Sequence, residues 1–168
     1  ACYGGIGYCN NTLADIQELS YDNFGLCESD KRQHIAELTA LRAYFQLLLL
    51  DAFHIPAISL TTEEEVGSAT PQENFHFIEE SLLNAIPDLP KAPSKNYEGR
   101  ITQGAAAVLL MRLYFNASWY INIPMWEQTG ALCERIINGE FGTYSLTSEW
   151  TDLWNAGNQD CPELIQSY

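Results

Sequence analysis

The sequence predicts an all-α fold in which antiparallel helix pairs are joined by irregular loops. Three observations support this prediction. Apolar residues recur at spacings of three and four in five segments, as they do on the buried face of a helix. Residues that cap helices stand before two of these segments, at Thr70 and Thr102. Small residues at positions 104–107 offer a smooth surface that a neighbouring helix backbone can approach closely.

The first predicted helix runs from the start of the chain to about Glu18. Its apolar residues at positions 6, 9, 13 and 16 are separated by three or four residues, which is typical of one helix face. A polar loop over residues 20–30, which includes Gly25, follows the helix.

The second predicted helix carries a long apolar stripe and ends abruptly at Pro56. Proline ends a helix because it lacks the backbone donor and restricts the residue before it. The predicted stripe consists of Ile35, Leu38, Leu41, Phe45, Leu48 and Ala52.

The third predicted helix has the clearest start signal in the chain. Thr70 is the N-cap, Pro71 occupies the first helical position, and Glu73 completes a capping box. The helix ends before Pro87. Its predicted apolar face consists of Phe75, Ile78, Leu82 and Ala85.

Two further helices and a mixed tail complete the prediction. Thr102 caps the fourth helix, and the fifth spans about residues 124–138, where Gly139 is a natural stop. The fifth helix is expected to turn Met125, Thr129, Leu132 and Ile136 inward. The tail is expected to be loop with aromatic anchors and a terminal strand at residues 162–165.

The order of the helices indicates stacked helix hairpins of the tetratricopeptide type. A strict repeat of about 34 residues is not visible in the sequence, because the loops differ in length. Residues 1–168 are expected to form a single helical domain that is part of a longer chain, since both ends resemble the interior of an element.

The charge balance excludes some classes of partner. The net charge is −14, with 8 Lys and Arg residues against 22 Asp and Glu residues. Such a chain lacks the cationic surface that displaces counterions from phosphates, so it is not expected to bind nucleic acid or an anionic membrane directly. A neutral ligand or a cationic partner is compatible with this charge.

No pattern of catalytic or metal-binding residues stands out. The five cysteines contain no zinc-type spacing, so we expect free thiols or small core residues and no metal or other cofactor. Glu79 and Glu80 point in different directions on a helix and cannot face each other across a glycosidic bond. The sequence therefore predicts a protein that is not an enzyme.

Four strings in order resemble the SusD/RagB family of outer-membrane nutrient-binding lipoproteins. They are YGGIGYCNNTLADI (residues 3–16), ELTALRAYFQLLLLDAFHIPAIS (37–59), FIEESLLNAIPDLP (77–90) and GRITQGAAAVLLMRLYFNAS (99–118). The fourth is followed by a helix that ends IINGEFGTYSL (136–146). The second and fourth strings are the more specific, and the whole match covers nearly the entire chain. The exit at Phe53-His54-Ile55-Pro56 departs from the family's Phe-Gly-x-Val-Pro pattern, so we expect the following loop to have its own shape.

The resemblance implies a SusD-like helical scaffold on the cell surface of a Gram-negative bacterium. It implies attachment to the outer membrane through a lipid anchor that lies outside this fragment. The implied partner is a SusC-like TonB-dependent transporter, and the implied ligand is an oligosaccharide or a peptide that is bound without catalysis.

Aromatic residues near helix ends are the candidate ligand contacts. They are Tyr97, Trp119, Tyr120 and Trp126. Glycan binding needs aromatic faces for the C–H groups of sugars. The alternative for each of these residues is a buried anchor, because tryptophan is mostly buried in proteins.

Two arginines lie inside apolar helices, Arg42 in the second and Arg112 in the fourth. We expect both to pair with a carboxylate or with helix carbonyls rather than to contact a ligand.

Two functions remain open from the sequence. The first is non-catalytic binding of nutrient glycans and their delivery to a transporter. The alternative is a helical-repeat scaffold that mediates protein–protein interaction or peptide binding.

Overall fold

The computed structural model describes residues 1–61, 67–91, 99–155, 157–158 and 161–165. Over these ranges the chain is all-α and contains no strand, with a single isolated β-bridge between Ala57 and Ser68. The α-helices of the described residues are α1 (Cys2–Glu18), α2 (Glu28–Phe53), α3 (Pro71–Ala85), α4 (Gln103–Phe115), α5 (Ala117–Ile121) and α6 (Trp126–Ile137). The predicted fold class is therefore confirmed.

The helices pack mainly against their neighbours along the chain. Helix α2 lies between α1 and α3, and α4 packs against α3 and α6. This sequential packing is the arrangement expected of tetratricopeptide-like helix pairs. No helix in the described part of the chain is long and apolar enough to cross a membrane.

The predicted face of α3 is confirmed. Phe75, Ile78, Leu82 and Ala85 are all buried in the core between α2, α3 and α4. The capping box also forms, because the Glu73 amide donates to Thr70 Oγ1 at 3.2 Å and the Thr70 amide donates to Glu73 Oε2 at 2.7 Å. The Thr102 cap of α4 is present as well, with the Ala105 amide at 3.3 Å from Thr102 Oγ1.

The prediction that the apolar stripe forms the most deeply buried face of α2 is wrong. Its members are half-buried and Ala52 is exposed, whereas the deepest positions belong to a neighbouring face. That face consists of Ala36, Ala40, Ala43, Leu47 and Leu50. The physical reason is that α2 packs on both sides, and alanines let two helices approach more closely than leucines do.

Two other predictions need correction. Helix α6 begins at Trp126 rather than at Pro124. The expected strand at residues 162–165 is absent, because this segment forms turns in which the Leu164 amide donates to the Cys161 carbonyl at 3.1 Å. A strand needs a pairing partner, and the Ser145 amide, at 3.0 Å from the Pro162 carbonyl, supplies only one backbone contact.

Small residues in α4 accommodate a side chain from the tail as well as neighbouring helices. A Cβ atom at Gly104 would overlap the hydroxyl of Tyr144. Ala106 and Ala107 are fully buried in the core.

All five cysteines are free thiols, as predicted.

Candidate functional site

Trp119 lies on the short helix α5 and presents its indole to solvent. Its side chain is 74% exposed, and its ring centroid lies 6.2 Å from that of His54, with the two ring planes tilted by 57°. His54 directly follows the C-terminus of α2. The end of α2 and the start of α5 thus meet at one exposed ring pair.

Trp126 is the first residue of α6 and forms a second exposed ring pair with Phe115. It is 55% exposed and meets Phe115, at the end of α4, edge-on at 5.6 Å. Phe115 precedes Trp119 by four residues across the α4–α5 junction. We refer to His54, Phe115, Trp119 and Trp126 as the aromatic surface.

Tyr120 is the neighbour of Trp119 but is buried, with 2% of its surface exposed. Its hydroxyl donates to the Asp51 carboxylate, which also accepts from Arg112. Burial is the larger cause that raises the pKa of the Tyr120 hydroxyl, and the hydrogen bond to Asp51 raises it further. In this position Tyr120 anchors α5 to α2 and thereby holds Trp119 at the surface.

The remaining sequence candidates have different positions. Tyr97 lies outside the described residues. Trp150 and Trp154 form a third exposed ring pair, with centroids 5.8 Å apart, on a 3-10 turn of the tail. They lie on the surface of the described structure instead of anchoring its core.

The two arginines are engaged within the scaffold, but Arg42 binds a side-chain amide oxygen instead of the expected carboxylate or helix carbonyl. Arg42 Nη1 donates to Asn10 Oδ1 at 2.9 Å, and its guanidinium lies 5.5 Å from the centre of the Phe77 ring. Burial lowers the pKa of this guanidinium. Arg112 pairs with the Asp51 carboxylate, as expected, although about half of its side chain is exposed.

The loop after α2 is held by buried amides. Asn74 Nδ2 donates to the Pro56 carbonyl at 3.0 Å, and Gln46 Nε2 donates to the Ala57 carbonyl at 3.0 Å. Asn10 Nδ2 donates to the Ser59 carbonyl, also at 3.0 Å. Three side chains from three helices therefore fix the backbone that leads away from the aromatic surface.

A separate apolar groove lies between α1, α2 and α4. It has a volume of about 550 Å³, within the range of ligand pockets. Its apolar wall includes Ile16, Leu38, Leu41, Val108, Leu109 and Ile165. The bidentate pair of Arg100 and Glu37, with Nε–Oε2 at 2.9 Å and Nη2–Oε1 at 2.6 Å, lines the same groove.

The sequence could not single out His54, and it could not separate Trp119 from Tyr120. Adjacent residues on a five-residue helix diverge in direction, and apolar periodicity needs a longer segment to show which one is buried. The unusual exit at residues 53–56 was the only signal that pointed toward His54. Within the described ranges, no group of three or more metal-ligating side chains comes together.

The fold matches solved structures of SusD-like proteins. A laminarin-binding SusD-like protein matches with a TM-score of 0.83 at 25% identity, over 98% of this chain and 35% of that one. Surface glycan-binding protein A of Bacteroides uniformis matches with a TM-score of 0.81 at 18% identity, over 98% and 36%. Surface glycan-binding protein A of Bacteroides thetaiotaomicron, in complex with laminarihexaose, matches with a TM-score of 0.78 at 18% identity, over 98% and 33%.

These matches confirm that the chain has the SusD-like helical fold. The chain spans about a third of the length of these structures. No model of a protein family matches the sequence, and a comparison with curated proteins gives no significant match.

Proposed function

We propose that the protein carrying this chain binds a neutral extracellular glycan and does not cleave it. The observation that carries this proposal is the aromatic surface, where Trp119 and Trp126 expose their rings beside His54 and Phe115. Flat aromatic faces contact the C–H groups of sugar rings, and nearby polar groups bind the hydroxyls. Two of the structural neighbours are a laminarin-binding protein and a laminarihexaose complex, which supports a glycan ligand.

The charge of the chain supports a neutral ligand. At a net charge of −14, an acidic polysaccharide would meet long-range repulsion during its approach. Arg112, a cation of the helix that leads into the aromatic surface, is already paired with Asp51. A neutral polysaccharide meets no such repulsion and needs no unpaired cation on the protein.

Delivery to a SusC-like TonB-dependent transporter at the outer membrane completes the proposal. The SusD-like fold and the surface location named for two of the neighbours support it. In this arrangement a lipid anchor holds the protein at the cell surface, and the helical scaffold displays the aromatic surface to the glycan.

Affinity gel electrophoresis of the full-length protein tests the proposal. Gels would contain laminarin, starch, xylan, mannan or inulin, and released reducing ends would be assayed in parallel. We expect one of these neutral polysaccharides to retard migration with no release of reducing ends, and we expect a transporter to co-purify with the protein. Unchanged mobility in every gel, or measurable hydrolysis, would contradict the proposal.

The groove favours the second candidate, binding of a peptide or protein segment. Its size and its largely apolar wall, to which Ile165 of the tail contributes, suit the apolar side chains of a peptide. Leu109→Glu would place a charge on the apolar wall. If the second candidate is correct, this variant loses a protein partner in co-purification, whereas retardation by polysaccharide stays unchanged.

A further inference from the structure

We propose that His54 is a specificity-determining residue of the glycan site, held in a strained turn so that its imidazole meets a sugar bound on Trp119. This inference rests on the proposed function. It goes further by naming a polar contact and the chemistry that the contact recognises.

The backbone at His54 is in an unfavourable conformation. Its φ is +65° and its ψ is −34°, and the Ile55 amide donates to the Phe53 carbonyl at 2.8 Å. This combination is close to the classic γ-turn, which is rare because the Cβ atom crowds the backbone. Glycine would adopt the same turn without that crowding. The histidine side chain is therefore present at a cost to stability.

The surrounding structure enforces this turn. The carbonyls of Pro56, Ala57 and Ser59 accept from buried amides of Asn74, Gln46 and Asn10, as described above. The Ala57 amide also donates to the Tyr3 hydroxyl at 2.9 Å. A strained residue that several independent contacts hold in place is a feature of functional sites.

The position of the imidazole suits a sugar hydroxyl. Its ring is tilted by 57° to the Trp119 ring at a centroid distance of 6.2 Å, so the two rings form a corner rather than a closed stack. A pyranose lying on the exposed indole would turn its edge toward this corner. An imidazole carries two ring nitrogens that can form hydrogen bonds with a hydroxyl group.

Asp51, the acidic residue that precedes His54 on α2, already has partners. Asp51, one helical turn earlier, accepts from Arg112 and Tyr120. The ligand class that fits an aromatic face beside one hydrogen-bonding imidazole is an uncharged oligosaccharide. An anionic sugar would meet the charge of the whole chain, which is −14.

Three variants of the full-length protein test the inference against the same five polysaccharides, with urea unfolding measured in parallel. His54→Gly removes the imidazole and the crowding, so we expect higher stability together with binding that is weaker by about tenfold. His54→Asn keeps a hydrogen-bonding side chain that tolerates this conformation, and we expect it to retain most of the binding. His76→Ala, at an exposed position on α3, is the control.

The outcomes distinguish failure of the proposed glycan binding from failure of the proposed role of His54. If wild type binds none of the five polysaccharides, the proposed function fails and this inference fails with it. If wild type binds and His54→Gly binds equally well, the inference alone is overturned. Loss of binding together with loss of stability in His54→Gly would also overturn it, because the histidine would then be structural.

Discussion

The side-chain amide of Gln46 donates a hydrogen bond to the side-chain oxygen of Asn74 at 2.6 Å, and both residues are almost fully buried between α2 and α3. The same Gln46 nitrogen donates to the Ala57 carbonyl, and Asn74 donates to the Pro56 carbonyl. This polar pair therefore joins two helices and also holds the loop that follows His54. It connects the packing of the core to the aromatic surface.

Truncation of Gln46 should destabilise the fold. We expect Gln46→Ala to lower the free energy of unfolding by about 1–3 kcal/mol, because Asn74 and the Ala57 carbonyl lose a buried partner. Urea unfolding followed by circular dichroism measures the difference. Gln128→Ala, at an exposed position on α6, should change stability by less than about 0.5 kcal/mol. Equal stability of the two variants would show that the buried pair has no such role.

Removal of the Tyr120 hydroxyl should weaken the attachment of α5 to α2. We expect Tyr120→Phe to cost about 1–2 kcal/mol of folding free energy, since a hydrogen bond to the Asp51 carboxylate is lost in a largely buried site. Tyr8→Phe, on the exposed side of α1, serves as the control. Thermal unfolding of both variants checks this expectation, and an unchanged midpoint for Tyr120→Phe would contradict it.

The capping box of α3 should make stability depend on pH. Hydrogen bonds from the Thr70 amide and hydroxyl lower the pKa of Glu73 in the folded state. A lowered carboxyl pKa contributes stability above the unfolded pKa, and this contribution is lost as pH falls through the folded pKa. Wild type should therefore lose its stability advantage over Glu73→Gln as pH falls below about 4.3.

Urea unfolding of wild type and Glu73→Gln at neutral and acidic pH measures this convergence. Glu80→Gln, an exposed substitution on the same helix, controls for the general effect of acid. A gap between wild type and Glu73→Gln that stays constant with pH would show that the Glu73 carboxylate does not stabilise the helix start.

The sequence predicted those parts of the fold that depend on local chemistry. Thr70 and Glu73 form the predicted cap, and Phe75 and Leu82 face the core as their spacing indicated. The most deeply buried face of α2 was assigned wrongly. Apolar periodicity shows which face of a helix is apolar, whereas burial depends on where the two neighbouring helices approach.

The candidate site was only partly predictable. Trp119 and Trp126 are exposed, but Tyr120 turns inward to Asp51, a partner 69 residues away that no local pattern reveals. The positive φ of His54 occurs where buried side chains of other helices hold the following loop, and no local pattern in the sequence indicates it. The sequence predicts the helices because local signals determine them. It does not predict the positions of the exposed rings because tertiary contacts determine those.

The central claim is that the exposed indole of Trp119 binds the glycan, and Trp119→Ala in the full-length protein tests it most directly. Isothermal titration with the polysaccharide that retards wild type would compare this variant with Trp154→Ala, which removes an equally exposed tryptophan of the tail. We predict that Trp119→Ala weakens binding at least about tenfold, as expected for a tryptophan that dominates an interface, and that Trp154→Ala binds like wild type. Wild-type affinity in Trp119→Ala would contradict the account.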